Sequence, residues 1–237
     1  MKEFKESHLA TAIICWLNYV SALGRNYILA ESSIKIPASE YLEVNHIQPN
    51  LETDHPKFKP VRKIDLQFKY KSIDIAYEFK FVKGDSTRDP SERIRVFNDI
   101  MRLHLFQETN KHKGFFLICG ITDEFKMSFE NLDLNKDLRF KEGRRPDDNT
   151  ESFYSEWFSF DVKSPQKEID TTNTDELYEV VYTAFKGEYE KPFKDKTNDD
   201  LKLPDKIKTK LVFLSKENKV DEVPDDFKIG IWEILKN

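Results

Sequence analysis

The chain of 237 residues is long enough to bury one sizeable core, with room for an insertion or a small second domain. Charged residues make up 34% of it, and no apolar run approaches the length of a membrane span. The net charge of -5 excludes a protein that binds nucleic acid through an overall positive charge. Any such binding therefore requires local basic patches.

The two cysteines, Cys15 and Cys119, each lie within an apolar stretch, which favours buried and reduced thiols. The first six residues do not have the pattern of a signal peptide. We therefore expect a cytoplasmic protein with no membrane association.

In chain order, the first predicted element is a helix from Ser7 to Leu23, with Gly24 as its C-terminal stop. Its apolar residues recur at helical spacing, which predicts one buried face: Leu9, Ile13, Trp16, Leu17, Val20 and Leu23. The short apolar segment 27–31 is expected to begin a strand or to extend the helical unit.

The next stretch, residues 45–60, is polar and contains three prolines, which predicts a loop. It includes His46 and His55. No cysteine or histidine partner lies at metal-binding spacing from them, so we expect both to be exposed loop residues.

Residues 62–82 alternate apolar and polar side chains on both sides of a short polar break at Lys71 and Ser72. That pattern predicts two half-buried strands joined as a β-hairpin. A turn centred on the break places four pairs on one core-facing surface: Tyr70 with Ile73, Phe68 with Ile75, Leu66 with Tyr77, and Ile64 with Phe79.

The opposite face of the hairpin pairs Lys69 with Asp74. Further along that face Asp65 lies opposite Glu78, and Lys80 follows. Directly opposed carboxylates lie about 5 Å apart and repel each other unless a positive charge lies between them. Magnesium suits such a pair, since it binds carboxylate oxygens and retains several waters. A nearby lysine can orient a metal-bound water and stabilise charge on phosphorus, so the arrangement indicates phosphodiester hydrolysis.

Asp65, followed by Glu78-Phe79-Lys80 on an adjacent strand, resembles the D…(D/E)xK motif of the PD-(D/E)xK nuclease superfamily, whose fold is restriction-endonuclease-like. The tripeptide alone carries little information, because the pattern Glu-x-Lys also occurs at 3–5, 124–126 and 217–219. Only the copy at 78–80 lies in a strongly alternating strand with an aspartate across from it.

The resemblance implies a magnesium-dependent endonuclease, with manganese as a substitute metal, that cleaves nucleic acid. DNA is the expected substrate, and restriction or phage defence is the expected setting. By the same resemblance, Asp65 and Glu78 bind the metal, and the backbone carbonyl of Phe79 adds a ligand. Lys80 then assists the attacking water.

Two further kinds of residue complete the predicted site. Members of the superfamily often carry an extra acidic residue upstream of the motif aspartate, and Glu31 is the best-placed match, with Glu40 second. Contacts with nucleic-acid phosphates are expected from basic residues before the motif and on the following helix: Arg62, Lys63, Arg95 and Arg102.

After the hairpin, Asp89 and Pro90 predict the start of a helix that runs to about Gln107. Its polar residues form a stripe that predicts either a salt-bridged solvent face or phosphate contacts: Glu92, Arg95, Asp99 and Arg102. The apolar run 114–121 predicts a central strand covered on both sides. The resulting order of helix, strand, strand, helix and strand is that of the superfamily core.

We expect an α/β (α+β mixed) fold with a restriction-endonuclease-like core, in which helices flank a central mixed β-sheet. Residues 1–125 form this core, and residues 126–237 form a C-terminal extension. The elements predicted in the extension are an aromatic block at 151–162, a helix at 175–186, and strands at 208–215 and 227–235 that pack back on the core.

Two alternatives remain open. A catalytically silent protein of the same fold would act as a nucleic-acid-binding or assembly subunit. In an unrelated α/β interaction domain the carboxylate pair would be accidental, and Asp65 and Glu78 would lie far apart. For the enzyme, a homodimer is a reasonable arrangement, because symmetric subunits conveniently cut both strands of a duplex.

Overall fold

A computed structural model describes residues 3–57, 62–83, 90–127, 166–170, 206–216 and 226–236. In chain order these residues form helix α1 (Glu6–Ala22), a 3₁₀ turn (Asn26–Ile28), helix α2 (Glu31–Val44), strands β1 (Pro49–Asp54), β2 (Lys63–Tyr70) and β3 (Ile73–Val82), helix α3 (Pro90–Phe106), strand β4 (His112–Ile121), helix α4 (Thr122–Met127), and strands β5 (Gln166–Asp170), β6 (Lys206–Leu214) and β7 (Phe227–Leu235). The segments predicted at 151–162 and 175–186 lie outside the described residues.

The seven strands form one mixed sheet with the order β1-β2-β3-β4-β7-β6-β5. Strands β3 and β4 are parallel, and α3 lies between them in the chain, as a parallel connection requires. The other neighbouring pairs are antiparallel. The predicted mixed α/β fold with a central mixed sheet is therefore confirmed, and the two C-terminal strands belong to the same sheet as the motif hairpin.

Helices cover both faces of the sheet. One hydrophobic cluster contains side chains of α1 and α2 together with four residues of β3: Ile75, Tyr77, Phe79 and Phe81. The other contains side chains of α3 and α4 together with Ala76 and Val82 of β3. Because side chains alternate along a strand, Glu78 and Lys80 point to the same face as Ala76 and Val82. Within the described ranges, no helix has both the length and the hydropathy needed to cross a membrane.

The first helix ends where the sequence predicts. Gly24 has a φ of 66°, and its N–H bonds the carbonyl of Ser21, while the N–H of Arg25 bonds the carbonyl of Val20. These two bonds form a Schellman motif, which favours glycine at the left-handed position. The prediction that both cysteines are buried is wrong for Cys15, which is exposed because it lies off the apolar stripe of α1.

The sequence did not predict α2 or β1. Helix α2 contains Pro37, which weakens the helical signal, although Ile34, Ala38 and Leu42 recur at a spacing of four and are buried. Strand β1 falls within the predicted loop. It is an edge strand whose side chains are mostly exposed, so it lacks the apolar alternation of a buried strand, and its proline is the first residue, where an edge strand tolerates it.

His55 lies between β1 and β2 and is 0% exposed, so the prediction of an exposed loop histidine is wrong for this residue; His46 is exposed as expected. The His55 Nδ1 accepts the backbone N–H of Lys57 at 3.1 Å, which leaves Nε2 to donate to the carbonyl of Arg102 at 2.9 Å. Burial lowers the pKa of His55 to about 4. This buried neutral imidazole fixes the β1–β2 connection to α3.

The free energy of unfolding should fall on acidification because of His55. Between pH 6.5 and pH 4 the unfolded chain binds a proton at this residue and the folded chain does not, so stability rises with pH across that window. We expect wild type to lose on the order of 3 kcal/mol from this source between pH 6.5 and pH 4. His55→Gln should lose much less, as measured by urea denaturation. His46→Asn is the matched control, and equal acid sensitivity of wild type and His55→Gln would contradict the assignment.

Tyr77 is fully buried in the cluster beneath α1 and α2, where its ring stacks on Phe115 at a centroid distance of 5.1 Å. No described residue hydrogen-bonds its hydroxyl. By contrast, the hydroxyl of Tyr70 accepts the backbone N–H of Phe4 at 3.1 Å.

Removing each hydroxyl should therefore have a different effect. Tyr77→Phe should leave the free energy of unfolding within about 0.5 kcal/mol of wild type or raise it, because a buried unpaired hydroxyl contributes nothing favourable. Tyr70→Phe should cost about 1 kcal/mol for the lost hydrogen bond. Chemical denaturation measures both changes. A loss in Tyr77→Phe larger than that in Tyr70→Phe would contradict this account.

Candidate functional site

The hairpin formed by β2 and β3 has the predicted register over most of its length. Tyr70 opposes Ile73, Phe68 opposes Ile75, and Leu66 opposes Tyr77. The turn lies at Lys71 and Ser72, as predicted, and Lys71 has a φ of 56°. The expected pair of opposite charges also forms, with 3.7 Å between the Lys69 amine and the Asp74 carboxylate.

The two strands separate beyond Leu66 and Tyr77. At that point Asp65 Oδ2 accepts a hydrogen bond of 2.9 Å from the backbone N–H of Phe79, so a side chain takes the place of the backbone acceptor. Ile64 then packs in the cluster on the α3 side, whereas Phe79 packs in the cluster on the other face. The prediction that Ile64 and Phe79 share one core face is therefore wrong.

The second carboxylate oxygen of Asp65 contacts helix α2. Asp65 Oδ1 lies 2.7 Å from the Nζ of Lys35, and the same amine also contacts Glu52 of β1. Burial disfavours the charge of Lys35, but the hydrogen bonds to Asp65 and Glu52 outweigh it and raise the pKa of the amine. Lys35 thus joins α2, β1 and β2 at the site.

Glu78 points from β3 toward α3 and is 1% exposed. Its Oε1 accepts a hydrogen bond of 2.9 Å from the Nε of Arg102, whose Nη2 lies 2.5 Å from Asp99 Oδ1. Burial raises the pKa of Glu78 well above its usual range, although the charge of Arg102 opposes that shift. Burial likewise raises the pKa of Asp99 to about 7, again against the charge of Arg102.

Lys80 follows Glu78 on the same face of β3 and is 6% exposed. Its Nζ lies 3.2 Å from Oε2 of Glu31, the first residue of α2. Asp99 interacts electrostatically with Lys80 and Glu31 as well as with Asp65. The structure therefore brings Asp65, Glu78, Lys80 and Glu31 into one cluster of charges where β2 and β3 separate.

The remaining predicted residues lie in several environments. Glu40 is exposed beside a shallow groove between α1 and α2, outside the charged cluster. Lys63 and Arg95 are exposed, and Arg62 is half-buried. Arg102 is the predicted phosphate contact that belongs to the cluster, through its ion pairs with the two acids.

Two members of the cluster, Lys35 and Asp99, were not predicted. Lys35 lies four residues after Glu31 and therefore on the same face of α2. Because α2 itself was not predicted, the shared face of these two residues was not predicted either. A salt-bridged solvent face was one of two alternatives for the stripe of α3 that contains Asp99, and Asp99 does not fit it because the residue is only 8% exposed. The spacing of three between Asp99 and Arg102 correctly indicated an ion pair but not the direction in which the pair faces.

The donor atoms at the site suit a hard cation. Asp65 and Glu78 offer carboxylate oxygens beside the backbone of Phe79, and magnesium commonly uses one or two carboxylates with water and substrate phosphate as its other ligands. In the part of the chain that the structure describes, no group of three or more histidine, cysteine, aspartate or glutamate side chains is placed to hold a metal ion. Asp65 and Glu78 are therefore the two carboxylates of the described chain from which a magnesium site is proposed below.

Comparisons with models of protein families, with curated proteins and with solved structures found no match. The resemblance to PD-(D/E)xK nucleases therefore rests on residues 65 and 78–80 and on the order of the elements. What the site does has to be inferred from its own chemistry.

The raised pKa of Asp99 predicts a pH dependence that Asp99→Asn should remove. Between pH 4 and pH 7 the folded chain keeps the proton of Asp99 while the unfolded chain loses it, so this residue lowers the stability of wild type as pH rises. Between pH 5 and pH 8, the free energy of unfolding of Asp99→Asn should rise by on the order of 2 kcal/mol relative to that of wild type, as measured by urea denaturation. Asp74→Asn, in the more exposed pair of the hairpin, is the control. A difference between variant and wild type that does not change with pH would show that Asp99 is ionised throughout.

Proposed function

We propose that this protein is a magnesium-dependent endonuclease of the PD-(D/E)xK type, which hydrolyses phosphodiester bonds of nucleic acid. One observation carries the proposal: Asp65, Glu78 and Lys80 of a single hairpin lie together in a largely buried cluster, with Glu31 beside the lysine. Ordinary surface charges would face water, whereas Glu78 is 1% and Lys80 is 6% exposed. The burial therefore disfavours an accidental surface arrangement.

Each residue has a distinct role in the proposed reaction. Asp65 and Glu78 would hold the cation, and the backbone carbonyl of Phe79 would add a ligand. Bound magnesium, or manganese in its place, would lower the pKa of a coordinated water and neutralise charge on the scissile phosphate. Lys80 orients the attacking water and stabilises negative charge on the phosphate oxygens. Glu31 positions the amine of Lys80 by the 3.2 Å contact.

DNA is the proposed substrate, and restriction or phage defence is the proposed setting. The net charge of -5 confines phosphate binding to local basic residues, and Lys63 and Arg95 are exposed. A homodimer would allow both strands of a duplex to be cut. Cleavage assays that compare DNA with RNA test the choice of substrate.

A catalytically silent protein is the second candidate, and one observation favours it. Asp65 and Glu78 are each paired with a cationic side chain, Lys35 and Arg102, so the carboxylates are satisfied without a metal. In that case the same cluster would stabilise the orientation of α2 and α3 around the hairpin. Nucleic-acid binding without cleavage would be its expected activity.

Cleavage distinguishes the two candidates. We expect the purified protein to degrade single-stranded or double-stranded DNA or RNA in the presence of magnesium or manganese, and to be inactive in EDTA. Asp65→Ala removes a metal ligand and Lys80→Ala removes the amine, so each should lower the cleavage rate at least about a hundredfold. Gel assays of all four substrates measure the rates and identify the preferred one.

The hairpin supplies matched controls for both substitutions. Lys69 and Asp74 form an ion pair at the turn end of the same two strands, so Lys69→Ala and Asp74→Ala change the same residue types away from the cluster. Both controls should keep the wild-type rate. Full activity in Asp65→Ala or Lys80→Ala would overturn the proposed mechanism, and metal-independent binding without cleavage by wild type would support the silent protein.

A further inference from the structure

Arg102 bridges two carboxylates of the candidate site. Its Nε donates to Glu78 at 2.9 Å and its Nη2 to Asp99 at 2.5 Å. All three side chains are largely removed from solvent. The backbone of Arg102 is held independently, because its carbonyl accepts the hydrogen bond from His55. The guanidinium can therefore change partners while the helix stays in place.

The ion pair of Arg102 with Glu78 and the binding of a divalent cation exclude each other electrostatically. A cation on the Glu78 carboxylate would lie close to the guanidinium, and two positive charges at such a distance in a poorly solvated site repel strongly. Without either of them, Glu78 would be a buried charge with no partner, which is strongly destabilising. Arg102 and a divalent cation therefore compete for the Glu78 carboxylate.

The neighbouring pair is similar in one respect. Lys35 contacts Asp65, but its amine also contacts Glu52, whose side chain is half-exposed. Lys35 therefore keeps a partner when Asp65 turns toward a cation. Arg102 likewise keeps its ion pair with Asp99 when Glu78 binds a cation, and its Nε then turns away from Glu78.

We propose that Arg102 is the resident counter-ion of the site: it neutralises Glu78 while no divalent cation is bound, and cation binding releases its guanidinium to contact a nucleic-acid phosphate. This inference rests on the proposed function and adds a coupling between cation and substrate binding. A guanidinium presents donors in a planar fork that matches phosphate oxygens. The released guanidinium therefore keeps its contact with Asp99 and turns from the Glu78 carboxylate to a phosphate of the substrate.

Calorimetric titration with manganese tests the competition. Arg102→Gln removes the resident charge, so it should bind manganese about tenfold more tightly than wild type. Lys113→Gln is the matched control, since it breaks an ion pair of 2.8 Å with Glu233 between β4 and β7, away from the cluster. That control should bind manganese as wild type does.

A second measurement uses proteins that retain Arg102, and so does not depend on the stability of a variant at that position. Phenylglyoxal modifies accessible arginines, and mass spectrometry follows each site separately. Manganese should increase the modification rate of Arg102 several-fold relative to the exposed Arg25. In the Lys80→Ala protein, which should bind a short DNA duplex without cutting it, adding the duplex in manganese should protect Arg102 again.

The outcomes separate this inference from the proposed function. Manganese binding by wild type that is not tightened in Arg102→Gln, or a modification rate of Arg102 that manganese does not change, would overturn the counter-ion role and leave the nuclease proposal standing. Failure of the duplex to protect Arg102 would overturn its contact with phosphate. No manganese binding by either protein would overturn the proposed function and this inference with it.

Discussion

The hydrogen bond between the Asp65 carboxylate and the backbone N–H of Phe79 is the contact on which the candidate site depends. A backbone ladder that continued past Leu66 and Tyr77 would leave the aspartate on an unbroken strand face. Because the side chain itself accepts the N–H, β2 and β3 separate there and the carboxylate is fixed beside the residue that follows Glu78. The opening is filled by charged side chains from the helices on both faces of the sheet, Lys35 from α2 and Arg102 from α3.

Burying so many charges in one place is unfavourable for folding. Glu78 and Asp99 both have raised pKa values because they are removed from water, and the bridging guanidinium only partly compensates. A core of apolar residues of similar volume is usually at least as stable as a buried ion network. Strongly perturbed acids that cluster with a lysine are typical of functional sites, and this consideration supports catalysis over a purely structural role.

The parts of the fold that the sequence predicts are those with strong local signals. Gly24 stops α1, and the alternation around Lys71 sets the hairpin register because a slip of one residue would expose its apolar side chains. The apolar run of β4 and the two C-terminal strands are likewise recognisable from their patterns. Local patterns also place Asp65 and Glu78 on adjacent strands, so the centre of the candidate site could be predicted.

The missed features depend on tertiary contacts. Strand β1 is recognisable only as a partner of β2, since most of its side chains face solvent. His55 is buried because α3 packs over it, and nothing in the polar stretch around it indicates that neighbour. Asp99 belongs to a stripe that has the same spacing whether it faces water or the sheet. Local sequence patterns therefore could not predict the contacts that surround Asp65 and Glu78.

The central claim is that Asp65 and Glu78 share one divalent cation where the two strands separate. A crystal structure grown with manganese, with an anomalous difference map, tests it most directly. We expect an anomalous peak about 2.1 Å from a carboxylate oxygen of each residue, the usual distance for a small hard cation. A map without a peak there at millimolar manganese, with Lys35 and Arg102 still bound to the two carboxylates, would contradict the account.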